Sequence, residues 1–279
     1  MLFTEDKWER RGRMTIWVAR SIEDPTFVDV LADLDGLLND PKCQIIKDQR
    51  KIKVGRIVVR IGAQMRSLYV KRYNAFSPRY KLLSPFFRSG ALRALAGSSI
   101  LADAGIARAA PLAGVEERRF RILRRSFFVT EEIAGAKTAG AFWTEDLRDR
   151  QGPAGFKRRR VFLGALAGLF HDLHARRTYH DDLKEANIMA LAGDPCDPVR
   201  FFLLDFEGVR RGYHLSGRRK IKNLVQIYRT LGRRLSRSQQ RYFLKHYLGT
   251  SAASRKDVRI IIKKVLDRAE RVDAGKAGL

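Results

Sequence analysis

The chain changes its hydrophobic period near residue 140. Before that point, apolar and polar positions alternate in the runs 43–47, 51–61 and 66–73. These predict antiparallel strands joined by polar turns at Lys47-Asp48-Gln49-Arg50 and Gly62-Ala63-Gln64. Ahead of them, Asp24-Pro25 can open a helix to about Leu38, because Phe27, Val30, Leu31, Leu34 and Leu38 fall on one helical face. Residues 77–106 are basic and apolar, with a helix expected over about 88–101. Residues 107–112 read as a turn in which Pro111 breaks the pattern, and 120–123 with 127–130 read as a further hairpin.

Beyond residue 140 the spacing is helical. Residues 156–174 place Phe162, Leu163, Leu166, Leu169, Phe170 and Leu173 on one broad stripe. Further helices are expected over 217–231, over 236–248 behind a Ser236-x-x-Gln239 capping box, and over 257–272, with Ala274-Gly275-Lys276 fraying. The chain shows no internal repeat and no long linker.

One polar stretch interrupts the helical part: Tyr179-His180-Asp181-Asp182-Leu183-Lys184-Glu185-Ala186-Asn187-Ile188. It reads His-x-Asp-Leu-x-x-x-Asn, the pattern of a phosphoryl-transfer catalytic loop. The chemistry asks for this spacing. Asp182 would accept the proton of an attacking hydroxyl, and the amide oxygen of Asn187 would reach a magnesium ion on the nucleotide phosphates. Lys184 can neutralise charge on the transferred group. By itself the stretch could equally be an acidic turn capping a helix. The short apolar run 201–204 ends in Asp205-Phe206-Glu207-Gly208, an Asp-Phe-Gly signature with Glu207 inserted, and supplies a second metal-binding acid, Asp205, 18 residues after Asn187.

Two upstream features take meaning from this pair. Lys71 ends the alternating run Leu68-Tyr69-Val70; alone it reads as an edge lysine facing solvent, but in this order it becomes the candidate for nucleotide phosphates. Thr130-Glu131-Glu132-Ile133-Ala134-Gly135 leaves a strand as a hinge would. Backbone groups near Glu131 and Ile133 could hold adenine, whereas the side chains of Glu131 and Glu132 can simply be solvated. His171 and His174 lie one helical turn apart near His180. No cysteine or acidic set completes a zinc site there, and a packed His174 with His180 supporting the loop is the simpler expectation.

Length and a hydrophobic content of 45% suit one large domain or two lobes. Cys43 and Cys196 give no disulfide framework, the longest apolar run (161–170) is too short to span a bilayer, and the N-terminus lacks a leader pattern, so a cytoplasmic protein is expected. The net charge of +26 changes the picture more. Such a surface seeks polyanions: nucleic acid, anionic lipid head groups, or phosphorylated and carboxylated sugars. No nucleic-acid module signature accompanies it, which disfavours the first.

Strand lysine, hinge, catalytic loop, metal acid and helical tail follow one another as in the protein-kinase-like superfamily. More narrowly, the chain resembles the lipopolysaccharide kinase (Kdo/WaaP) family over about residues 43–250. The resemblance rests on Leu68-Tyr69-Val70-Lys71-Arg72-Tyr73, Ala104-Gly105-Ile106-Ala107 leading to Pro111-Leu112-Ala113, Val129-Thr130-Glu131, His180-Asp181-Asp182-Leu183 through Asn187-Ile188, and Leu204-Asp205-Phe206-Glu207. It implies an α+β, protein-kinase-like two-lobed fold with a small antiparallel-sheet N-lobe and a mainly helical C-lobe. The expected division is a helical extension over 1–42, an N-lobe over 43–134 and a C-lobe over 135–279. It further implies ATP and Mg2+ as cofactors and transfer to a Kdo or heptose hydroxyl of the lipopolysaccharide inner core. In that reading the enzyme is peripheral on an anionic membrane surface at the cytoplasmic face of the inner membrane, with an anionic glycolipid as partner. Two family features are missing: a Gly-x-Gly-x-x-Gly loop, since only Gly55 and Gly62 fall nearby, and a helix glutamate to pair with Lys71, since Asp103 is the one acid in 77–106. A kinase of proteins or soluble small molecules, and a basic kinase-like module that transfers nothing, are the alternatives.

Overall fold

The computed structural model describes residues 7–22, 24–75, 77–193, 199–249 and 254–277. They form two compact units, Met1–Ser99 with Ala109–Glu132, and Ile100–Arg108 with Ile133–Leu279.

The first unit is built on a seven-stranded antiparallel sheet. Its strands are β1 (Lys7–Arg11), β2 (Met14–Val18), β3 (Gln44–Gln49), β4 (Ile52–Ile61), β5 (Gln64–Asn74), β6 (Pro111–Arg119) and β7 (Ile122–Glu131), in the spatial order β1-β2-β6-β7-β5-β4-β3. Period-two alternation decides its faces. Leu68 and Val70 of β5, Val115 of β6, and Phe127 and Val129 of β7 pack in one core with Phe27 and Leu31 of α1 (Phe27–Ala32) and Leu34 and Leu38 of α2 (Leu34–Asn39). After α3 (Pro78–Leu83) and the 3-10 turn Ser84–Phe86 comes α4 (Gly90–Asp103). A Cβ on Gly114 of β6 would stand 2.6 Å from a Leu95 methyl carbon, and one on Gly90 would stand 2.4 Å from the Tyr73 ring. The two glycines let α4 and β5–β6 approach closely. Among the candidate phosphate-loop glycines, Gly55 lies inside β4 with Cys43 and Leu38 where a Cβ would be, so its role is packing under α2.

Several expectations change here. Residues 7–18 are not helical extension but a hairpin of the main sheet, β2 pairing with β6. The helix expected to run to Leu38 breaks at Asp33, whose carboxylate accepts the Gly36 N–H (2.9 Å) and starts α2. Pro111 opens β6 instead of breaking a turn, a position where a missing N–H does no harm. The hairpin expected between 120–123 and 127–130 does not form: 122–131 is the single strand β7, and Phe120-Arg121, both at positive φ, is the turn that joins it to β6.

The second unit carries β8 (Lys137–Thr138), then α5 (Ala139–Ala141) running into a π-helical turn, Phe142–Leu147. It continues through α6 (Gly152–Ala175), β9 (Thr178–His180), β10 (Ile188–Leu191), β11 (Arg200–Leu203) and β12 (Val209–Arg211) to α7 (Gly217–Thr230), α8 (Arg237–Leu248) and α9 (Arg255–Ala277). Phe162 of α6 stacks on Phe142 and meets Phe201 edge-on, at centroid distances of 5.6 and 5.1 Å. The Ser236–Gln239 capping box is made on both sides, and α9 continues past the expected end at 272. Cys43 is buried, and Cys196 lies outside the described residues. Among the described residues no helix is long and apolar enough to cross a membrane.

Candidate active site

Two short hairpins bring the polar loops together. β9 pairs with β12, setting His180 opposite Val209, and β10 pairs with β11, setting Ile188 opposite Leu203. The loop 181–187 therefore leaves one hairpin and enters the other, beside residues 204–208. Three hydrogen bonds lock the two loops. The Leu204 N–H donates to the Asn187 carbonyl (2.9 Å), His180 Nε2 meets the Leu204 carbonyl (2.9 Å), and the Asp181 N–H donates to the Gly208 carbonyl (3.2 Å). The turn that carries Asn187 is thereby tied to the one that carries Asp205. Gly208 is required: a Cβ there would stand 2.7 Å from that of Asp181, and the 3-10 turn Phe206–Gly208 accommodates the inserted Glu207 before it.

Asp205 holds φ 58° and ψ 64°, a left-handed conformation that costs a residue with a Cβ about 1–2 kcal/mol. Glycine would remove that cost but also the carboxylate, and strain of this kind is characteristic of sites where the side chain is needed. Asp182 is held from both sides. Lys184 Nζ lies 2.6 Å from its Oδ2, and Asn187 Nδ2 donates to its carbonyl oxygen (2.8 Å) and to Oδ2 (3.1 Å). The side chains of Asp182 and Lys184 remain 48% and 42% exposed, so a solute can reach them.

His180 is buried and sits at the centre of this arrangement. Its Nδ1 accepts the Asp182 N–H (3.2 Å), so the proton is on Nε2, which donates to Leu204. Burial pushes its pKa down against the opposing pull of the Leu204 carbonyl and the Asp205, Asp182 and Asp181 carboxylates, which keeps the ring neutral. The support continues outward. Asn223 Nδ2 donates to the His180 carbonyl (2.6 Å) and to Gln226 Oε1 (2.9 Å), and Gln226 Nε2 donates to the Asp181 carbonyl (2.5 Å). The Leu183 N–H donates to Gln226 Oε1 and the Glu185 N–H to Thr230 Oγ1. Behind them His174 Nε2 donates to Asn223 Oδ1 (3.1 Å), while its Nδ1 accepts the Tyr247 hydroxyl (2.9 Å). Burial first of all lowers the His174 pKa to about 4.

Asn223, Gln226 and Thr230 were not singled out from sequence. The signal available was weak: three polar residues at i, i+3 and i+7 on α7, beside the buried Leu224, Val225 and Ile227.

The residues present suit a hard cation. Among the described residues no three His, Cys, Asp or Glu side chains converge on a metal. Mg2+ is commonly bound by one or two protein oxygens and completed by water and phosphate, so an amide and a carboxylate from adjacent turns suffice.

The remaining candidates belong to other elements. Lys71, in the first unit, sits in β5 between β4 and β7, opposite Val54 and Phe128, which rules out the edge-lysine reading; its Nζ is 4.9 Å from the Tyr73 ring centroid. The Glu131 N–H donates to the Ala110 carbonyl (2.9 Å) and its carboxylate lies 3.7 Å from Arg66. That donor is therefore already engaged. The Ile133 carbonyl, in the second unit, accepts the Ala136 N–H (3.1 Å).

The profile of the lipopolysaccharide kinase (Kdo/WaaP) family matches residues 43–247, which include β3 to β7, the loop 181–187 and most of α8. The chain belongs to the lipopolysaccharide kinase (Kdo/WaaP) family. Membership brings kinase chemistry on lipopolysaccharide in general. Among solved structures, one described as WaaP in complex with acyl carrier protein is similar over 89% of this chain and 97% of that chain, with a TM-score of 0.65 and 19% identity. That likeness establishes the α+β, kinase-like fold. No curated protein sequence matches the chain.

Proposed function

We propose that this Kdo/WaaP-family kinase transfers the γ-phosphoryl group of ATP to a hydroxyl of a Kdo or heptose sugar of the lipopolysaccharide inner core, at the cytoplasmic face of the inner membrane. What supports the reading is the direct backbone bond from Leu204 to Asn187, which ties the turn carrying Asn187 to the one carrying Asp205.

Both of the contacts that hold the Asp182 carboxylate fall on Oδ2. In the proposed reaction Oδ1 orients the sugar hydroxyl and takes its proton as that oxygen bonds to the γ-phosphorus and the bond to ADP breaks. Asn187 Oδ1 and the Asp205 carboxylate hold Mg2+, which when bound neutralises charge on the phosphates. Lys184 balances the transferred group, and Lys71 is assigned to the nucleotide phosphates. In place of a glycine-rich loop, the β3–β4 turn carries Arg50 and Lys51, whose carbonyls are held by Asn74, and these two cations are assigned a share in the phosphate grip. The adenine is assigned to the hinge backbone at Glu131 and Ile133, excluding the engaged Glu131 N–H.

Incubating the protein with labelled ATP, Mg2+ and purified lipid A–inner core glycolipid tests this. Label is expected in the glycolipid. Label in bulk protein or in a soluble sugar would redirect the acceptor, and ATP binding with no transfer to any acceptor would favour the inert module.

A further inference from the structure

The first unit exposes large apolar side chains from two segments far apart in sequence. Leu82, Leu83, Phe86 and Phe87 belong to α3 and the turn after it, Phe120 to the β6–β7 turn and Ile122 to the start of β7; Leu82, Phe86 and Phe120 are 70%, 82% and 85% exposed. One guanidinium gathers them. Arg118 donates to the carbonyls of Ser84 (3.0 Å), Phe87 (3.2 Å) and Arg121 (2.9 Å) and is itself paired with Glu116, a buried acid (3.1 Å). The buried Ser84 hydroxyl adds a bond from the Leu123 N–H (2.8 Å). The protruding side chains are thus fixed as one patch.

Two further observations bear on its purpose. Phe120 and Arg121 both sit at positive φ, 49° and 68°, in a two-residue turn where Asn-Gly would be unstrained. Strain is accepted there in exchange for an aromatic and a cation at the tip. The charge is also one-sided: Arg79, Lys81, Arg88, Arg119 and Arg121 are exposed around the patch, and neither 77–102 nor 118–130 contains an acid.

We propose that this patch seats the protein on an anionic lipid bilayer, with the phenyl and leucyl groups at the acyl boundary and the cations on the headgroup phosphates. Side chains standing out from a turn tip and a short helix suit a deformable surface, and the acid-free ring of cations suits a negatively charged one. The proposal rests on the acceptor being a membrane glycolipid. Vesicle binding is read without nucleotide or acceptor, so a failure of docking and a failure of transfer are scored apart.

The test is co-sedimentation of the full chain with phosphatidylglycerol–phosphatidylcholine vesicles and with phosphatidylcholine alone. Binding is expected to the anionic vesicles and to weaken with salt. Phe86→Ser combined with Phe120→Ser should lower the partition coefficient about tenfold or more, while Phe156→Ser, an exposed aromatic on α6, leaves it unchanged. Phe120→Trp, a milder variant, should gain emission quenched by brominated lipid. Wild-type affinity in the double serine variant, no quenching at position 120, or no binding by the wild type would overturn the proposal. So would loss of binding to acyl carrier protein with vesicle partition intact, which would make the patch a protein interface.

Discussion

In the first unit Asp35 sits between Arg72 (2.9 Å) and Arg125, and Arg56 grips Glu132 with two bonds of 2.9 and 2.7 Å, so charge is met by charge. In the second, the backbone of 180–185 is gripped by two uncharged amides and a hydroxyl from α7, with an imidazole from α6 behind one of the amides. The difference is one of solvent. Partly exposed ion pairs gain little and weaken in salt. Buried neutral hydrogen bonds are insensitive to salt and costly to leave half-made. The loop's own acids are paired apart from these bonds, Asp181 with Lys222 (2.7 Å) and Glu185 with Arg234 (3.2 Å), so the neutral bonds hold the backbone while the charged ones hold side chains.

The largest effect should come from the reacting group. Asp182→Ala is expected to lower the initial rate of labelled-phosphate transfer by about 10³-fold or more while leaving nucleotide affinity, measured by calorimetry, within about threefold. Next comes the neutral support. Asn223→Leu leaves His174 Nε2 and the His180 carbonyl without partners inside the unit. A loss of about 2–4 kcal/mol is expected in urea unfolding, unchanged by added salt.

The same support should answer to acid. The folded-state pKa of His174 is lowered to about 4 from the ordinary 6.5, so the fold favours the neutral ring. Its contribution is complete above about pH 6.5 and is lost as pH falls through about 4, up to about 3 kcal/mol. Urea midpoints between those limits should fall for the wild type and be flatter for His174→Gln. His180 shifts in the same direction and for the same cause, so some slope remains. The smallest effect belongs to the charged unit: Glu132→Gln should cost under about 1 kcal/mol and the difference should fade in about 1 M salt. Equal salt sensitivity for Asn223→Leu and Glu132→Gln would erase the contrast between the units.

The candidate reacting residues were legible because the proposed chemistry fixes their spacing. Asp182, Lys184 and Asn187 fall between β9 and β10 and Asp205 directly follows β11, the strand that the apolar run 201–204 predicts. Their supports were not. Asn223, Gln226 and Thr230 belong to a helix whose polar positions look like any solvated face until the loop is placed against them. The β1–β2 hairpin was hidden for a different reason. Its first strand, Lys7–Arg11, is mostly charged, so pairing with β2 outweighs a local pattern that is weak. At Phe120-Arg121 the residues contradict the turn they form, so the pattern predicts a strand where the chain turns and a turn inside β7; such conflicts between local preference and fold are where functional demands are expected.

The most direct measurement is Mn2+ binding, followed by electron paramagnetic resonance, in the wild type, Asn187→Ala and Asp205→Ala with a non-hydrolysable ATP analogue. If these two side chains share one divalent cation on the nucleotide, the wild type should hold Mn2+ more tightly than the analogue alone, and either substitution should remove the difference. Undiminished Mn2+ affinity in both variants would contradict a metal site at the junction of the two loops.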